Sequence, residues 1–191
     1  MASLIPSANA SGTGSMTLAG PSTNSNQTVN IPDTTGTMMV SGNMPAFSAY
    51  ANANQNVTSA TWTKVQINTE FFDTNSNYDN ATNYRFTPTV AGYYQVNFGI
   101  CFNSSATNPT VIGATLYKNS VQTYGGNQAA NPVATALTSF SYVIYMNGST
   151  DYLEVYGYAS GGTGTLFFQG QSTAGSAYVA SYFNASLVRA S

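Results

Sequence analysis

An all-β fold of about ten antiparallel strands, a sandwich or jelly roll, is what this sequence predicts, and three observations carry the prediction. Charged residues make up 5% of the 191-residue chain, against about a quarter in an ordinary globular protein. Their place is taken by Asn, Ser, Thr, Gly and Tyr, which suit pleated strands and the turns between them. From residue 44 onward, short runs alternate apolar with polar residues and close on Gly, Asn, Ser or Pro. No helical period longer than a few residues competes, and the 42% hydrophobic content is enough to bury a core.

Residues 1–43 form a separate region, read as an extended, β-rich N-terminal arm. Short strand-like pieces at 14–18, 27–31 and 36–40 are bounded by Gly20-Pro21, Pro32-Asp33 and Ser41-Gly42. Alternation puts Met16 with Leu18 and Val29 with Ile31 on common sides. Such an arm buries little by itself, so it is expected to order against a partner chain or a larger assembly.

Residues 44–191 read as the head. Strands are expected at 46–51, 61–70, 85–88, 92–103, 110–116, 121–124, 135–146, 151–158, 165–169 and 177–188. Side chains alternate across a strand, so Tyr94, Val96 and Phe98 share a face opposite Tyr93, Gln95 and Asn97. Leu153 and Val155 likewise oppose Tyr152, Glu154, Tyr156 and Tyr158. Phe183 and Leu187 oppose Tyr178 and Tyr182. One face of each strand is apolar and core-bound, and the other is rich in tyrosine and small polar groups. Gly92 marks a tight strand start where a side chain would clash.

The chemistry the chain lacks is equally informative. With no histidine, the commonest general base, the Ser-His-Asp arrangement and most zinc sites are gone. The acidic residues are Asp33, Glu70, Asp73, Asp79, Asp151 and Glu154. Asp151 and Glu154 differ by an odd number on a strand and are expected to diverge, which disfavours a carboxylate pair. Asp73, Asn75, Asn77 and Asp79 alternate like oxygen ligands but lack the glycine and terminal Glu of a calcium loop, and Asx turns account for them. No enzyme activity, cofactor or metal is expected.

Lys64, Arg85, Lys118 and Arg189 are too few and scattered to bind nucleic acid. No apolar run approaches the roughly 20 residues that span a bilayer, so no membrane insertion is expected. The first six residues carry neither a basic segment nor a long apolar one, and no signal peptide is expected. Cys101 is the single cysteine, which rules out a disulfide within the chain. It lies in an apolar run and reads as a buried, inert thiol.

Two resemblances add to this. Gly14 to Leu18, Pro21, and Thr28 to Thr37 resemble a stretch found in phage fibre proteins just ahead of the terminal head. In the head, Trp62-Thr-Lys-Val-Gln-Ile-Asn68 resembles the early strand of the C1q-like domain, and Tyr78-Asp79 followed by Phe86 resembles its next motif. Gly92-x-Tyr94-x-Val96-x-Phe98 is similar to its Gly-x-Tyr-x-Phe-x-aromatic run, with Val96 replacing an aromatic. Leu116-Tyr-Lys118-Asn119, Asp151-Tyr-Leu153-Glu-Val155 and Ser181-Tyr-Phe183-Asn-Ala-Ser-Leu187 resemble three later motifs. Thr150 stands in place of a Gly, and Asn184 and Ala185 depart from the closing strand. The loops either side of Tyr78 are longer than in the complement protein.

The resemblance implies a C1q/TNF-like jelly roll packed as a homotrimer about a threefold axis. Tyr93, Tyr178 and Tyr182 are its candidate interface residues. It also implies a binding head, for which Tyr152, Tyr156 and Tyr158 and the loops 103–109, 125–132 and 160–164 are candidates. The expected role is a non-enzymatic bacteriophage structural protein at the virion surface. Its arm, through Met16, Leu18, Val29 and Ile31, would attach to other tail or capsid proteins. Its head would act as a tail-fibre-type module for host attachment, taking a glycan or protein of the host surface. One alternative is a capsid-decorating, cement or head-fibre trimer. A second, a secreted C1q-like lectin, is disfavoured by the absence of a signal peptide and a collagen repeat.

Overall fold

The computed structural model describes residues 44–130, 135–171 and 179–191, with scattered positions before residue 44. Met16, Leu18, Val29, Ile31 and Tyr178 lie outside the described residues. The chain divides into two units, Met1–Gly36 and Thr37–Ser191.

The second unit is built from strands alone among the described residues. They are β1 (Ala46–Tyr50), β2 (Gln55–Val57), β3 (Thr63–Lys64), β4 (Thr69–Asp73), β5 (Tyr78–Asp79), β6 (Arg85–Phe86), β7 (Gly92–Ser104), β8 (Val111–Lys118), β9 (Val121–Ala129), β10 (Ala136–Met146), β11 (Leu153–Ser160), β12 (Leu166–Phe168) and β13 (Tyr182–Ala190). All pair antiparallel, in a seven-stranded and a six-stranded sheet. The long β7 anchors the first. It pairs along one edge with β10, and along the other with β13 and then β12. β1 and β4 continue beyond β13, and β2 lies beyond β12. The second sheet runs β5-β6-β11-β8-β9, with β3 also on β11.

The expected alternation is present. Tyr94, Val96, Phe98, Ile100 and Phe102 of β7 are fully buried, while Tyr93 is exposed. Across from them Phe86, Ile112, Leu116, Leu153 and Val155 close the core from the other sheet. Rings tie the sheets together: Phe47 stacks on Phe86 at 4.6 Å and on Tyr78 at 4.5 Å, and Phe86 meets Tyr94 edge-on at 5.5 Å. The tyrosines of this cluster keep a partner for their hydroxyls, as buried phenols must. Tyr78 donates to the Ile67 carbonyl at 2.8 Å and Tyr94 to the Val90 carbonyl at 2.7 Å. Burial pushes the Tyr94 hydroxyl up to about 12.

Tight backbone approaches are set by glycine. A Cβ on Gly92 would lie 2.3 Å from the Arg189 carbonyl oxygen and 2.8 Å from Leu187. The β8–β9 hairpin turns through Asn119 and Ser120 at φ 53° and 65°, the mirror-image turn whose twist matches its strands. Asn119 has a second task there, accepting from the Tyr152 amide and donating to Asp151.

The structure departs from the sequence expectation in three places. Residues 61–70 are not one strand: β3 pairs with β11 in one sheet and β4 with β1 in the other. The segment crosses the core, with Val65 and Ile67 both buried. Its alternation is real, but alternation does not say which sheet a residue joins. β9 extends to Ala129, because Gly125 lets its backbone close on β8; a Cβ there would sit 2.2 Å from the Ala114 carbonyl oxygen. The short β2 and β5 carry too few residues to show a period.

Candidate functional site

Two outward faces of the sandwich carry the residues singled out above. On the six-stranded sheet, alternation along β11 turns Glu154, Tyr156 and Tyr158 outward, in line with Tyr152 just before it. Each is braced by a neighbouring strand. The Arg85 guanidinium lies 4.7 Å over the Tyr152 ring, and the Tyr152 hydroxyl sits 2.7 Å from that of Ser120. Tyr156 packs on Tyr117 of β8 with centroids 4.1 Å apart, and Tyr158 packs on Trp62 at 5.3 Å. Burial, then the charge of Glu154, raises the Tyr156 hydroxyl above its ordinary range.

Glu154 is only 4% exposed yet ionically satisfied, with Lys64 Nζ 2.6 Å away. That ammonium also donates to the Asn83 carbonyl and lies 6.0 Å over Tyr156. Gly113 of β8, opposite Tyr158, has no side chain to block what lies over it. A Cβ there would meet Asn127 Oδ1 at 2.0 Å and Trp62 Cη2 at 2.9 Å. The indole edge and an amide therefore converge beside Tyr158.

The outer face of the seven-stranded sheet is different. Tyr93 of β7 and Tyr145 of β10 are directly opposite, edge to face at 5.5 Å, and 44% and 41% exposed. Val143 and Val188 are exposed near them. Val188 is the bulged residue in the β13–β7 register, between Leu187 and Arg189. Farther along lies an amide layer. Gln95 donates to Ser141 at 2.7 Å, Ser141 to Asn97 at 2.7 Å, and Asn97 to Asn184 at 2.8 Å.

Beyond that layer Tyr182 lies over Gly99, where a Cβ would come within 2.6 Å of its ring, and Tyr182 pairs with Tyr50. Tyr50 packs on Phe71 at 4.6 Å. A register shift between Ser48 and Ala49 leaves β4 one residue longer there. Phe71 and Phe72 both end up exposed as a result. Tyr93 and Tyr182 share this face but are not together. They mark positions six residues apart on β7, roughly 20 Å at about 3.3 Å per residue.

Loop residues 103–109 and 160–164 are laced to each other. Thr107 and Thr163 exchange backbone bonds at 3.2 and 3.0 Å, and Ser104 Oγ donates to both their carbonyls. The expected loop 125–132 is not one: 125–129 belongs to β9, and 131–134 lies outside the described residues. Asp73 caps Asn75 and Tyr78, and Asp79 caps Ala81, Thr82 and Asn83, so backbone amides occupy these carboxylates. Asp151 pairs with Lys118 at 2.8 Å and Glu154 with Lys64, in separate ion pairs. Cys101 is buried, which pushes its thiol up to about 11. No group of three or more His, Cys, Asp or Glu able to hold a metal occurs among the described residues.

Sequence reasoning missed Trp62, Tyr117 and Gly113 as site residues on the first face, where Asn127 fell within the candidate loop 125–132, and Tyr145, Val143, Tyr50, Phe71 and Phe72 on the second. A signal was available for some of them. Trp62 is the only tryptophan, and Tyr145 and Val143 share a parity on β10.

Two antiparallel sheets in this strand order form a C1q/TNF-like jelly roll. The chain is similar to the globular domain of zebrafish complement 1qA protein, with TM-score 0.55, 17% identity, and coverage of 77% of this chain and 99% of that one. It is similar to the Eiger TNF of S. frugiperda at TM-score 0.55 and 10% identity, covering 78% and 94%. Murine APRIL follows at 0.51 and 6%, covering 76% and 99%. At such identities the likeness is one of fold. Neither a protein-family model nor a curated protein matches the sequence.

Proposed function

We propose that the chain is a non-enzymatic, trimeric display module of a bacteriophage particle. Its N-terminal arm attaches to other virion proteins and its head binds the host surface in the manner of a tail fibre. The observation that carries the assembly half is the outer face of the seven-stranded sheet. Tyr93, Tyr145, Val143 and Val188 form one exposed apolar cluster there, and Phe71 and Phe72 a second beyond the amide layer; clustered apolar surface of this kind marks an interaction site. A second copy of the chain is the occupant the C1q-like resemblance implies. The aromatic rings suit a subunit contact, since tyrosine buries a large ring and keeps a hydroxyl for a partner.

The phage half rests on the resemblance of residues 14–37 to fibre proteins and on the uncharged polar surface. Support for a binding rather than catalytic role comes from Asp73, Asp79, Asp151 and Glu154, which are committed to turns and ion pairs. The test has two arms. Sedimentation of the purified chain should give about three times its 20.0 kDa; a monomer at micromolar concentration ends the trimer reading. The copy number in purified virions should match the portal in multiples of three. A number near that of the major capsid protein makes it a capsid decoration instead, and absence from particles ends both phage readings.

A further inference from the structure

We infer that the outer face of the six-stranded sheet is a binding platform for a neutral oligosaccharide, with Trp62, Tyr158, Tyr156 and Asn127 as its contacts. The inference rests on the binding-module reading and supplies the class of ligand. Sugar rings present C–H faces that stack on aromatic rings, and rims of hydroxyls that bond to amides and phenols. The face offers both in one place. At Gly113 the missing side chain lets the Trp62 edge and the Asn127 amide meet beside Tyr158. From Tyr158 the outward row runs along β11 to Tyr152, six residues or roughly 20 Å, which fits several sugar units and not one.

Three features favour this ligand over others. The rings are held before any ligand arrives, by Trp62 on Tyr158, Tyr117 on Tyr156 and Arg85 on Tyr152, so binding orders little. Lys64 is neutralised by Glu154 at 2.6 Å, and Arg85, held over a ring, is a single cation on this face, too little to draw a strongly acidic partner. And no exposed aliphatic side chain lies on β8 or β11 among the described residues, and Val121 of β9 is exposed only at the hairpin end, six residues from Asn127, whereas the other sheet exposes Leu137, Val143 and Val188. A protein partner draws on such aliphatic surface; a hydroxylated one does not.

The single tryptophan provides the readout. The intact purified chain would be applied to an array of neutral and of uronate- or sialate-bearing oligosaccharides. The best neutral hit would then be titrated while Trp62 fluorescence is followed with excitation selective for indole. The expected result is a saturable change in emission. Y158A should weaken the affinity by about tenfold, while Y158F keeps the ring and stays within about twofold. N127A, at an exposed position on β9, gives a second route should Y158A unfold, and should weaken binding several-fold. Retention of no neutral sugar, preference for the acidic ones, or unaltered affinity in both Y158A and N127A overturns the site. The assay uses no particle, so its failure is separable from that of the display reading. A chain that binds sugar but is missing from virions loses only the latter.

Discussion

Tyrosines line both outer faces of this sandwich at the same strand parity, yet the two sheets use them in opposite ways. On the six-stranded sheet Tyr152, Tyr156 and Tyr158 are each clasped by a residue from a neighbouring strand, and all are partly buried. On the seven-stranded sheet Tyr93 and Tyr145 pack edge to face, with the Lys118 ammonium 5.8 Å over the Tyr145 ring, yet both stand more than 40% exposed, beside bare valines. The first face is complete as a monomer. The second leaves apolar surface in water that a second copy would remove, at about 25 cal/mol per Å² buried. Residue type alone does not distinguish a finished surface from an unfinished one; the apolar area left exposed does.

The sharpest way to break that contrast is to put a charge on the unfinished face. Val143 is 52% exposed in the single chain, so V143D should fold with little loss. In the proposed trimer the same carboxylate would be buried without a partner. We expect the sedimenting mass to fall from about three times 20.0 kDa to one, with the sugar affinity per site unchanged. A V143D protein that remains trimeric means that this face is not where the copies meet.

The braced face should respond through stability instead. Lys64 Nζ is the cation beside the Glu154 carboxylate, whose side chain is 6% exposed. Removing it in K64M leaves a buried negative charge. Lys64 is itself about a third exposed, so water can replace part of what is lost. We expect a loss of about 2 kcal/mol in chemical denaturation, below the range for fully buried pairs. Replacing both partners by apolar residues should recover much of it. An unchanged midpoint in K64M would mean that Glu154 takes up a proton or finds water, and that the brace is looser than the geometry indicates.

Much of the fold was legible in the sequence, because the alternation of β7, β11 and β13 is nearly unbroken. Tyr94, Val96 and Phe98, Leu153 and Val155, and Phe183 and Leu187 are all buried as their parity requires. What escaped depended on relations across strands. Residues 61–70 alternate like one strand but serve two sheets, a distinction made by partners far away in sequence. Phe71 and Phe72 are both exposed through a register shift that no local pattern reveals. The site shows the same division. The Tyr152, Tyr156 and Tyr158 row follows from parity alone, whereas Trp62 over Gly113 needs the β3–β11–β8 neighbourhood to be known.

The smallest expected effect tests whether the two faces can be separated by acid. Asp79 holds the turn after β5, accepting from the amides of Ala81, Thr82 and Asn83 and from the Asn83 side chain. These bonds, the Thr82 amide foremost, lower its carboxyl from the ordinary 3.8 to about 2 against a smaller opposing effect of burial. A folded-state value below the unfolded one adds stability that is complete above about pH 4. That contribution is lost as pH falls toward 2. D79N lacks the charge at every pH, so it should be less stable than the parent at pH 6, with the gap narrowing below pH 4 and closing near pH 2. Asp151 also titrates low, but it does so in both proteins and cancels from the difference. Because the Asn83 carbonyl of this turn accepts from Lys64, acid should loosen the six-stranded face first. Amide exchange near Lys64 and Tyr156 should then quicken at a pH where Gln95, Asn97 and Asn184 remain protected. If both faces lose protection together, the turn is part of one cooperative unit and the contrast between the faces is confined to their surfaces.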